Sequence, residues 1–193
     1  MTRQLVYLIA TTLDGFIAGA DRSNPDFFGF DGPEVPDLIA EFPDMFPAPA
    51  RPLLGLGSDR QRFDTVLMGR ATYDVGRPVG LLSPYPHLRQ ILVSTTVADP
   101  PDPAVEVLSG AVQEAVRELK NEPGKDIWLA GGGRLAAALA DQIDEIILKV
   151  HPVVLGAGAP LFDGPIGPRK LSMTEQRLYP NGFALQRGRW SET

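Results

Sequence analysis

Residues 127–140 read IWLAGGGRLAAALA, in which a short apolar run meets three glycines and passes at once into an alanine-rich stretch. The pattern predicts a buried strand over Ile127–Ala130 and a helix over Arg134–Asp141. The start of a helix leaves backbone N–H groups without partners, and glycine allows an anion to approach them closely. The junction at Gly131–Gly133 is therefore either a tight turn and nothing more, or a cradle for a pyrophosphate.

Length, charge and composition limit the classes of protein to consider. The chain has 193 residues, of which 44% are hydrophobic, and this is enough for one domain with a substantial core. A net charge of −6 argues against a nucleic-acid partner, because such proteins carry a basic stripe. There is no cysteine, and neither His87 nor His151 belongs to a metal or triad motif, so we expect no metal site. The apolar run near the N-terminus is too short for a signal peptide or a membrane span, and we expect a soluble, cytoplasmic protein without membrane contact.

The rest of the chain alternates between strand and helix patterns. Apolar runs predict further strands at Leu5–Ala10, Thr65–Met68, Gln90–Ser94, Ala104–Leu108 and Glu145–Val150. Helices are predicted at Pro36–Phe42, Arg70–Val75 and 111–120, the last with Ser109 as its N-cap. Asn181–Gly182 predicts a hairpin turn between two strands within Leu178–Trp190. We therefore predict an α/β fold with a mostly parallel central sheet, helices on both faces and an antiparallel C-terminal hairpin.

A proline- and glycine-rich insert at about 19–57 interrupts this alternation. Apart from its one predicted helix, we expect it to be loop, and a loop of that length in a compact domain is usually functional or disordered. Its cluster Phe27–Phe30 either stacks on a planar heterocycle or covers the core. Together with the insert, residues 1–193 are expected to form a single domain.

Small, hydroxylated and arginine residues follow the predicted strands, at the edge where parallel sheets bind ligands. Gly69, Arg70 and Thr72 suit a phosphate; the alternative is an ordinary helix start with a solvated arginine. Ser94 and Thr95 either bind a phosphate or cap a turn. With the glycine junction, these groups are typical of a site for phosphate and ribose.

The order of these segments resembles that of a known superfamily. The segments LIATTLDGFIA, VLMGRATYDVG, ILVST, IWLAGGGRLAAALA and DEIILKVHPVVLGAGAPLF together resemble the dihydrofolate reductase-like superfamily. The stretch Val154–Phe162 makes the chain most similar to the C-terminal reductase domain of the bifunctional riboflavin biosynthesis deaminase–reductase, the RibD C-terminal type. The resemblance covers about residues 4–190.

The resemblance implies an NADPH site along the carboxyl edge of the sheet. By position, Ala10 and Ile17 would flank the nicotinamide, and Ser94 and Thr95 would lie near the adenosine 2′-phosphate. The residues that would hold the remaining phosphates are Gly69, Arg70, Thr72, Gly131, Gly132, Gly133, Arg134 and Leu135. Because Arg70, Ser94 and Thr95 can meet a phosphate and no carboxylate directly follows these strands, we expect NADPH to bind more tightly than NADH.

The resemblance also implies a homodimer, which we expect to form through the last strands and Val153–Phe162. On the substrate side the chain departs from the family pattern, because Ala130 stands where riboflavin reductases usually carry an acidic residue that helps to hold the substrate. Folate reductases hold the pterin with a carboxylate on the first helix, for which Asp37 and Glu41 are the candidates. Asp37 or water would then deliver the catalytic proton.

Two classes of function stay open. The first is an NADPH-dependent reductase of a small heterocycle, either pterin-like or a pyrimidine precursor of riboflavin, as in 5-amino-6-(5-phosphoribosylamino)uracil reductases; dihydrofolate reductase proper is the alternative within this class. The second is a non-catalytic, nucleotide-binding dimeric protein that kept the fold and lost turnover. Ala130 and the unplaced carboxylate favour the second class somewhat.

Overall fold

The computed structural model describes residues 2–21, 27–97, 99–100 and 102–191. The strands in this part of the chain are β1 (Leu5–Thr12), β2 (Phe16–Ala18), β3 (Phe63–Gly69), β4 (Arg89–Val93), β5 (Val105–Leu108), β6 (Asp126–Gly131), β7 (Glu145–His151), β8 (Ala159–Pro160), β9 (Leu171–Leu178) and β10 (Ala184–Trp190). The α-helices are α1 (Val35–Glu41), α2 (Arg70–Asp74), α3 (Val112–Asn121) and α4 (Gly133–Ala138). Short 3₁₀ turns occupy Pro43–Met45, Pro52–Leu54 and Arg77–Val79.

Eight strands form one sheet in the order β5-β4-β3-β6-β1-β7-β10-β9. The first six run parallel to one another, and β10 is antiparallel to both β7 and β9. This confirms the predicted mostly parallel sheet with an antiparallel C-terminal hairpin. Strands β2 and β8 form a separate two-stranded sheet, which lies next to the end of β1.

Each face of the sheet carries its own hydrophobic core. On one face α3 contributes Val116 and Leu119, α4 contributes Leu135, and the residue after α4 contributes Leu139 to a cluster with the strand residue Tyr7. This arrangement follows from the period-2 alternation of the strands and the apolar stripe of each helix. On the other face, the insert covers the sheet with four buried side chains: Leu38, Phe42, Met45 and Phe46. Leu38 and Phe42 belong to the predicted helix or its end, whereas Met45 and Phe46 show that the part of the insert expected to be loop also contributes to the core.

A buried carboxylate fixes the insert to the start of β3. Asp44 has no exposed surface, and it accepts backbone hydrogen bonds from Arg62 at 2.7 Å, Phe63 at 2.8 Å and Gln61 at 3.0 Å. Burial of a carboxylate is tolerated when its oxygens are satisfied in this way. The chain that follows the insert therefore enters the sheet in a defined position.

Some boundaries differ from the sequence prediction for local physical reasons. The N-cap of α3 is Ala111, without a side-chain cap, so the predicted capping role of Ser109 is wrong. Helix α4 ends three residues earlier than predicted, because Leu139 leaves the helical conformation with φ −104° and ψ 8°. Strand β9 starts at Leu171, well before the predicted hairpin segment, because its mostly exposed side chains give no apolar pattern. None of the helices within the described residues is long and apolar enough to cross a membrane.

Candidate active site

An open cleft of about 680 Å³ lies where β1, β3, β4 and β6 reach the carboxyl edge of the sheet. We call it the edge cleft. Most residues predicted to bind the cofactor line it: Ile17, Gly69, Arg70, Thr72, Ser94, Thr95, Gly132, Gly133, Arg134 and Leu135. The structure therefore brings together residues that are spread over more than a hundred positions of the sequence.

The three glycines at the end of β6 meet three different requirements. Gly131 has φ +110°, a backbone conformation that side chains disfavour, and the peptide bond between Gly131 and Gly132 is cis. Gly133 has no room for a side chain, since a β-carbon there would lie 2.2 Å from the carbonyl oxygen of Pro160. These two glycines are explained by the turn and by its contact with β8.

Gly132 is different, because neither its backbone nor its neighbours require glycine. Its φ of −86° is ordinary, and a β-carbon there would make only van der Waals contacts, 3.6 Å from Thr72 Oγ1 and 3.9 Å from Ile17 Cδ1. A side chain at this position would project into the edge cleft, whose wall includes Gly132. The bare backbone at Gly132 thus leaves open a space that a ligand can use.

The start of α2 lies directly against this turn. A β-carbon on Gly69, the N-cap of α2, would be 3.2 Å from the backbone nitrogen of Gly132. Two helix starts, those of α2 and α4, therefore face the same cleft, and their first N–H groups have no partners within the helices. The positive ends of the peptide dipoles of α2 and α4 both lie at this cleft, and they favour an anion bound there.

Two arginine side chains contribute positive charge to the edge cleft, and each has an acidic neighbour. Arg70 Nε lies 2.5 Å from Asp74 Oδ2, and Arg134 Nε lies 3.1 Å from Asp163 Oδ2. All four residues line the cleft. Because the Arg70 and Arg134 side chains are 39% and 75% exposed, these surface pairs are weak and can rearrange around a bound phosphate.

The turn after β4 is held by a hydroxyl group. Ser94 is buried, and its Oγ accepts hydrogen bonds from the N–H groups of Thr96 and Val97, both at 3.2 Å. Ser94 therefore caps the turn, and Thr95 lies exposed beside it in the cleft lining.

The flap formed by β2 and β8 closes the cleft beside Gly132 and places Ile17 there. Its base is fixed by Asp14, whose carboxylate accepts hydrogen bonds from Thr12 Oγ1 at 2.6 Å and from the N–H of Gly156 at 2.7 Å. The hydrogen bond from Thr12 is the main reason why the pKa of Asp14 lies below its usual value. A charged Asp14 therefore links the end of β1 to the loop before β8.

A second cavity, of about 470 Å³, lies between the insert, the strands β1 and β7 and the residue that precedes β10, and we call it the insert cavity. Its lining consists of Ala10, Phe28, Gly29, Phe30, Glu34, Leu38, Pro47, Lys149, His151 and Phe183. Ala10 was predicted to flank the nicotinamide, and it faces this cavity, whereas its neighbour Ile9 faces the edge cleft. The end of β1 is thus the wall shared by the two cavities.

Three titratable side chains meet in the insert cavity. Glu34 is buried and accepts a hydrogen bond from Asn181 Nδ2 at 2.9 Å. Burial lowers the pKa of His151 to about 4, with the charge of Lys149 as a smaller cause, so His151 is neutral at pH 7. Burial likewise lowers the pKa of Lys149 to about 8. The aromatic ring of Phe28 lies 4.7 Å from that of His151, so Phe28 helps to form the wall of the cavity.

The predicted proton donor Asp37 lies outside both cavities. Its side chain is 50% exposed, and it accepts hydrogen bonds from Tyr179 Oη at 2.6 Å and from Arg177 Nη1 at 3.3 Å. The hydrogen bond from Tyr179 is the main reason why the pKa of Asp37 is lowered, so Asp37 holds no proton at neutral pH. Its position does not favour a catalytic role. The carboxylate of the insert that does line a cavity is Glu34, one helical turn earlier.

Sequence reasoning missed several residues of the site. Glu34, Lys149 and Ile9 carry no motif, and Lys149 interrupts the apolar stretch 146–150 of β7. That interruption is the one signal available, since a lysine in a strand covered on both faces is unusual. Among the described residues, no group of three or more histidine, aspartate or glutamate side chains could hold a metal ion.

Comparison with known proteins agrees with this geometry. Residues 3–185 match the family described as the RibD C-terminal domain. The uncharacterized protein YwjB of Bacillus subtilis (strain 168) is 31% identical over 188 residues, which cover 96% of this chain and 97% of YwjB.

Two solved structures show the same fold. One is the diaminohydroxyphosphoribosylaminopyrimidine deaminase/5-amino-6-(5-phosphoribosylamino)uracil reductase of Thermotoga maritima, with a TM-score of 0.67 and 14% identity over 98% of this chain and 57% of that one. The other is the dihydrofolate reductase of Enterococcus faecalis in complex with NADP(H) and RAB-propyl, with a TM-score of 0.66 and 14% identity over the whole of both chains. The reductase-type, dihydrofolate reductase-like fold and the match over nearly the full length together show that this chain belongs to the RibD C-terminal domain family.

Proposed function

We propose that the protein is an NADPH-dependent reductase of a small heterocyclic compound. The proposal rests mainly on the edge cleft, in which the starts of α2 and α4 lie close together. Gly132, at the start of α4, leaves open space beside its backbone. A dinucleotide needs this combination, because its pyrophosphate must lie close to backbone N–H groups. The dihydrofolate reductase with the same fold is complexed with NADP(H), which agrees with such a cofactor.

The residues of the edge cleft fit each part of this cofactor. Gly132 and the start of α4 would hold the pyrophosphate, and Arg70 and Thr95 are available to the adenosine 2′-phosphate. Ile17 on the flap would cover the nicotinamide, and Ala10 would bound it on the side of the insert cavity. When bound, NADPH supplies a hydride, and the protein contributes position and charge.

The insert cavity is the place that we assign to the substrate. It borders the proposed nicotinamide position at Ala10 and has aromatic walls at Phe28 and Phe30, which suit a planar ring. Glu34 and Lys149 offer a hydrogen-bond acceptor and a donor for the polar edge of such a ring. These properties favour a pterin-like or pyrimidine substrate.

The proposal is tested by titrating the purified protein with NADPH and following nicotinamide fluorescence. We expect saturable binding, followed by oxidation of NADPH when pterin and pyrimidine compounds are supplied. Tight NADPH binding without any turnover would favour a non-catalytic nucleotide-binding protein instead. Absence of NADPH binding would contradict both functions.

We also propose a homodimer that packs through the last strands and Val153–Phe162. β9 is an edge strand of the main sheet, and Leu178 at its end is 76% exposed. Val154 is 70% exposed, so both predicted regions present apolar surface. Sedimentation at micromolar concentration should give the mass of two chains, and the mass of one chain would contradict the proposal.

A further inference from the structure

Lys149 is a partly buried cation in a place where the fold does not need one. It lies in the middle of β7, between Ala10 of β1 and Leu185 of β10 in the register of the sheet. Its ammonium group approaches only the weak acceptor Met45 Sδ, at 3.5 Å, and no carboxylate within the described residues forms a salt bridge with it. An apolar side chain at this position would continue the strand pattern without any cost of charge burial.

Of the groups that face Lys149, none within the described residues forms an ion pair with its ammonium group. His151, two residues later on the same strand, is neutral at pH 7 because burial lowers its pKa. Glu34, from the segment before α1, is hydrogen-bonded to Asn181 Nδ2. The remaining wall of the insert cavity is largely aromatic and aliphatic. Within the described residues, the ammonium group thus has one weak acceptor, Met45 Sδ, and it keeps hydrogen-bonding capacity for a ligand in the cavity.

We propose that Lys149 faces the electron-rich edge of the substrate and supplies the proton that reduction requires, so that the insert cavity takes a planar heterocycle with a ring carbonyl or imine. This inference rests on the proposed reductase function. Its geometric basis is that Lys149 is the register neighbour of Ala10, the residue that bounds the proposed nicotinamide position. Asp37, the donor expected from sequence, is too far out on the surface to compete.

Reduction of the ring would require one hydride and one proton. When bound, NADPH would supply a hydride to the ring carbon, and the C=O or C=N double bond of the substrate would become a single bond. The electron pair released onto oxygen or nitrogen takes a proton from the Lys149 ammonium, which becomes a neutral amine and is reprotonated by water. A pKa of about 8 suits this role, since the group is protonated at pH 7 and still releases its proton readily.

Barbiturate is a suitable probe, because it is a planar pyrimidine anion whose charge on carbonyl oxygens mimics the charge that hydride addition creates. The chain contains only four lysines, Lys120, Lys125, Lys149 and Lys170, so lysine-specific ¹³C NMR spectra are simple. We expect the Lys149 signal to titrate near pH 8 in the free protein and at higher pH with barbiturate, because a bound anion favours the ammonium form. A Lys149 signal that barbiturate leaves unmoved would overturn the inference.

Lys149→Met removes the charge and keeps the length of the side chain. We expect this variant to bind barbiturate at least about tenfold more weakly, as for loss of a charge-assisted hydrogen bond. Its melting temperature should rise, because a partly buried charge without an ion-pair partner among the described residues has been removed. The exposed Lys170→Met is the control and should change neither quantity.

Unchanged barbiturate affinity in Lys149→Met would contradict the inference, as would a loss of affinity together with a lower melting temperature, which indicates a structural role. NADPH titration of the same variant separates this inference from the proposed function. Lys149 does not line the edge cleft, so NADPH affinity should equal that of the unmodified protein. If NADPH fails to bind either form, the proposed function is wrong, whereas an unmoved Lys149 signal with normal NADPH binding refutes only the role of Lys149.

Discussion

The edge cleft and the insert cavity lie on two sides of the end of β1, and they are built in different ways. The edge cleft is lined by the ends of strands, and each of these strands ends in a glycine or a hydroxyl residue before a turn or helix. These patterns are short and local in the sequence. The insert cavity is formed by residues from four distant segments, and its polar groups are single side chains without a motif. The difference indicates that the edge cleft, which is formed mainly by backbone groups, is determined by the fold. The insert cavity, whose polar groups are single side chains, can change with the sequence of the insert.

The comparison predicts that the edge cleft depends most strongly on Gly132. Gly132→Val should abolish NADPH binding while the protein remains folded, because φ is −86° and the new side chain has room only in the cleft. The measurement is a fluorescence titration with NADPH, together with a thermal melt. Gly57→Val is the matched control, since a side chain at that glycine meets nothing within 4 Å and lies outside the cleft. Normal NADPH binding by Gly132→Val would mean that the glycine junction is only a turn.

The insert cavity should depend on the anchor of the insert. Asp44→Ala leaves three N–H groups of the chain entering β3 without their acceptor, of which that of Phe63 is buried, and we expect a loss of about 3 kcal/mol in the free energy of unfolding. Urea denaturation measures this loss. Asp59→Ala removes an exposed carboxylate from the neighbouring loop and should have almost no effect. Equal effects of the two substitutions would show that the insert is not held by Asp44.

The insert cavity should also make the protein sensitive to acid. The pKa of His151 is about 4 in the folded protein, and its ordinary value is about 6.5. Between these two pH values, the unfolded chain therefore binds a proton at His151 that the folded protein does not bind. The contribution of neutral His151 to the free energy of unfolding is therefore complete above pH 6.5, and about 3 kcal/mol of it is lost as the pH falls towards 4. Urea denaturation from pH 7 to pH 4 should show the loss, and His151→Gln should reduce it. An unchanged pH dependence in His151→Gln would assign the effect to other groups.

Cofactor choice should show the smallest change. Arg70→Ala is expected to weaken NADPH binding by on the order of 1–3 kcal/mol and NADH binding much less, because only NADPH carries the 2′-phosphate. Dissociation constants for both cofactors at fixed ionic strength test this. Arg77→Ala is the control, because Arg77 contacts the same Asp74 from outside the cleft. An equal loss for both cofactors would place Arg70 at the shared pyrophosphate and leave selectivity to Ser94 and Thr95.

The sequence predicted the sheet and the edge cleft because both have local signals. Apolar runs mark buried strands, and the residue that follows each run lies at the carboxyl edge by topology alone. The insert cavity was not predictable in the same way, since Glu34 and Lys149 meet only after the insert has folded onto β7. From the sequence the candidate carboxylates were Asp37 and Glu41, and Glu34 is distinguished from Asp37 only by its burial and by the contact of Asp37 with Tyr179.

A crystal structure of the protein with NADP⁺ tests the central claim most directly. The account predicts a cofactor extended along the edge cleft, with its pyrophosphate against Gly132 and the start of α4 and its nicotinamide between Ile17 and Ala10. The insert cavity should remain open to a planar ligand on the other side of Ala10. A cofactor bound elsewhere, or a nicotinamide buried away from Ala10, would contradict the account.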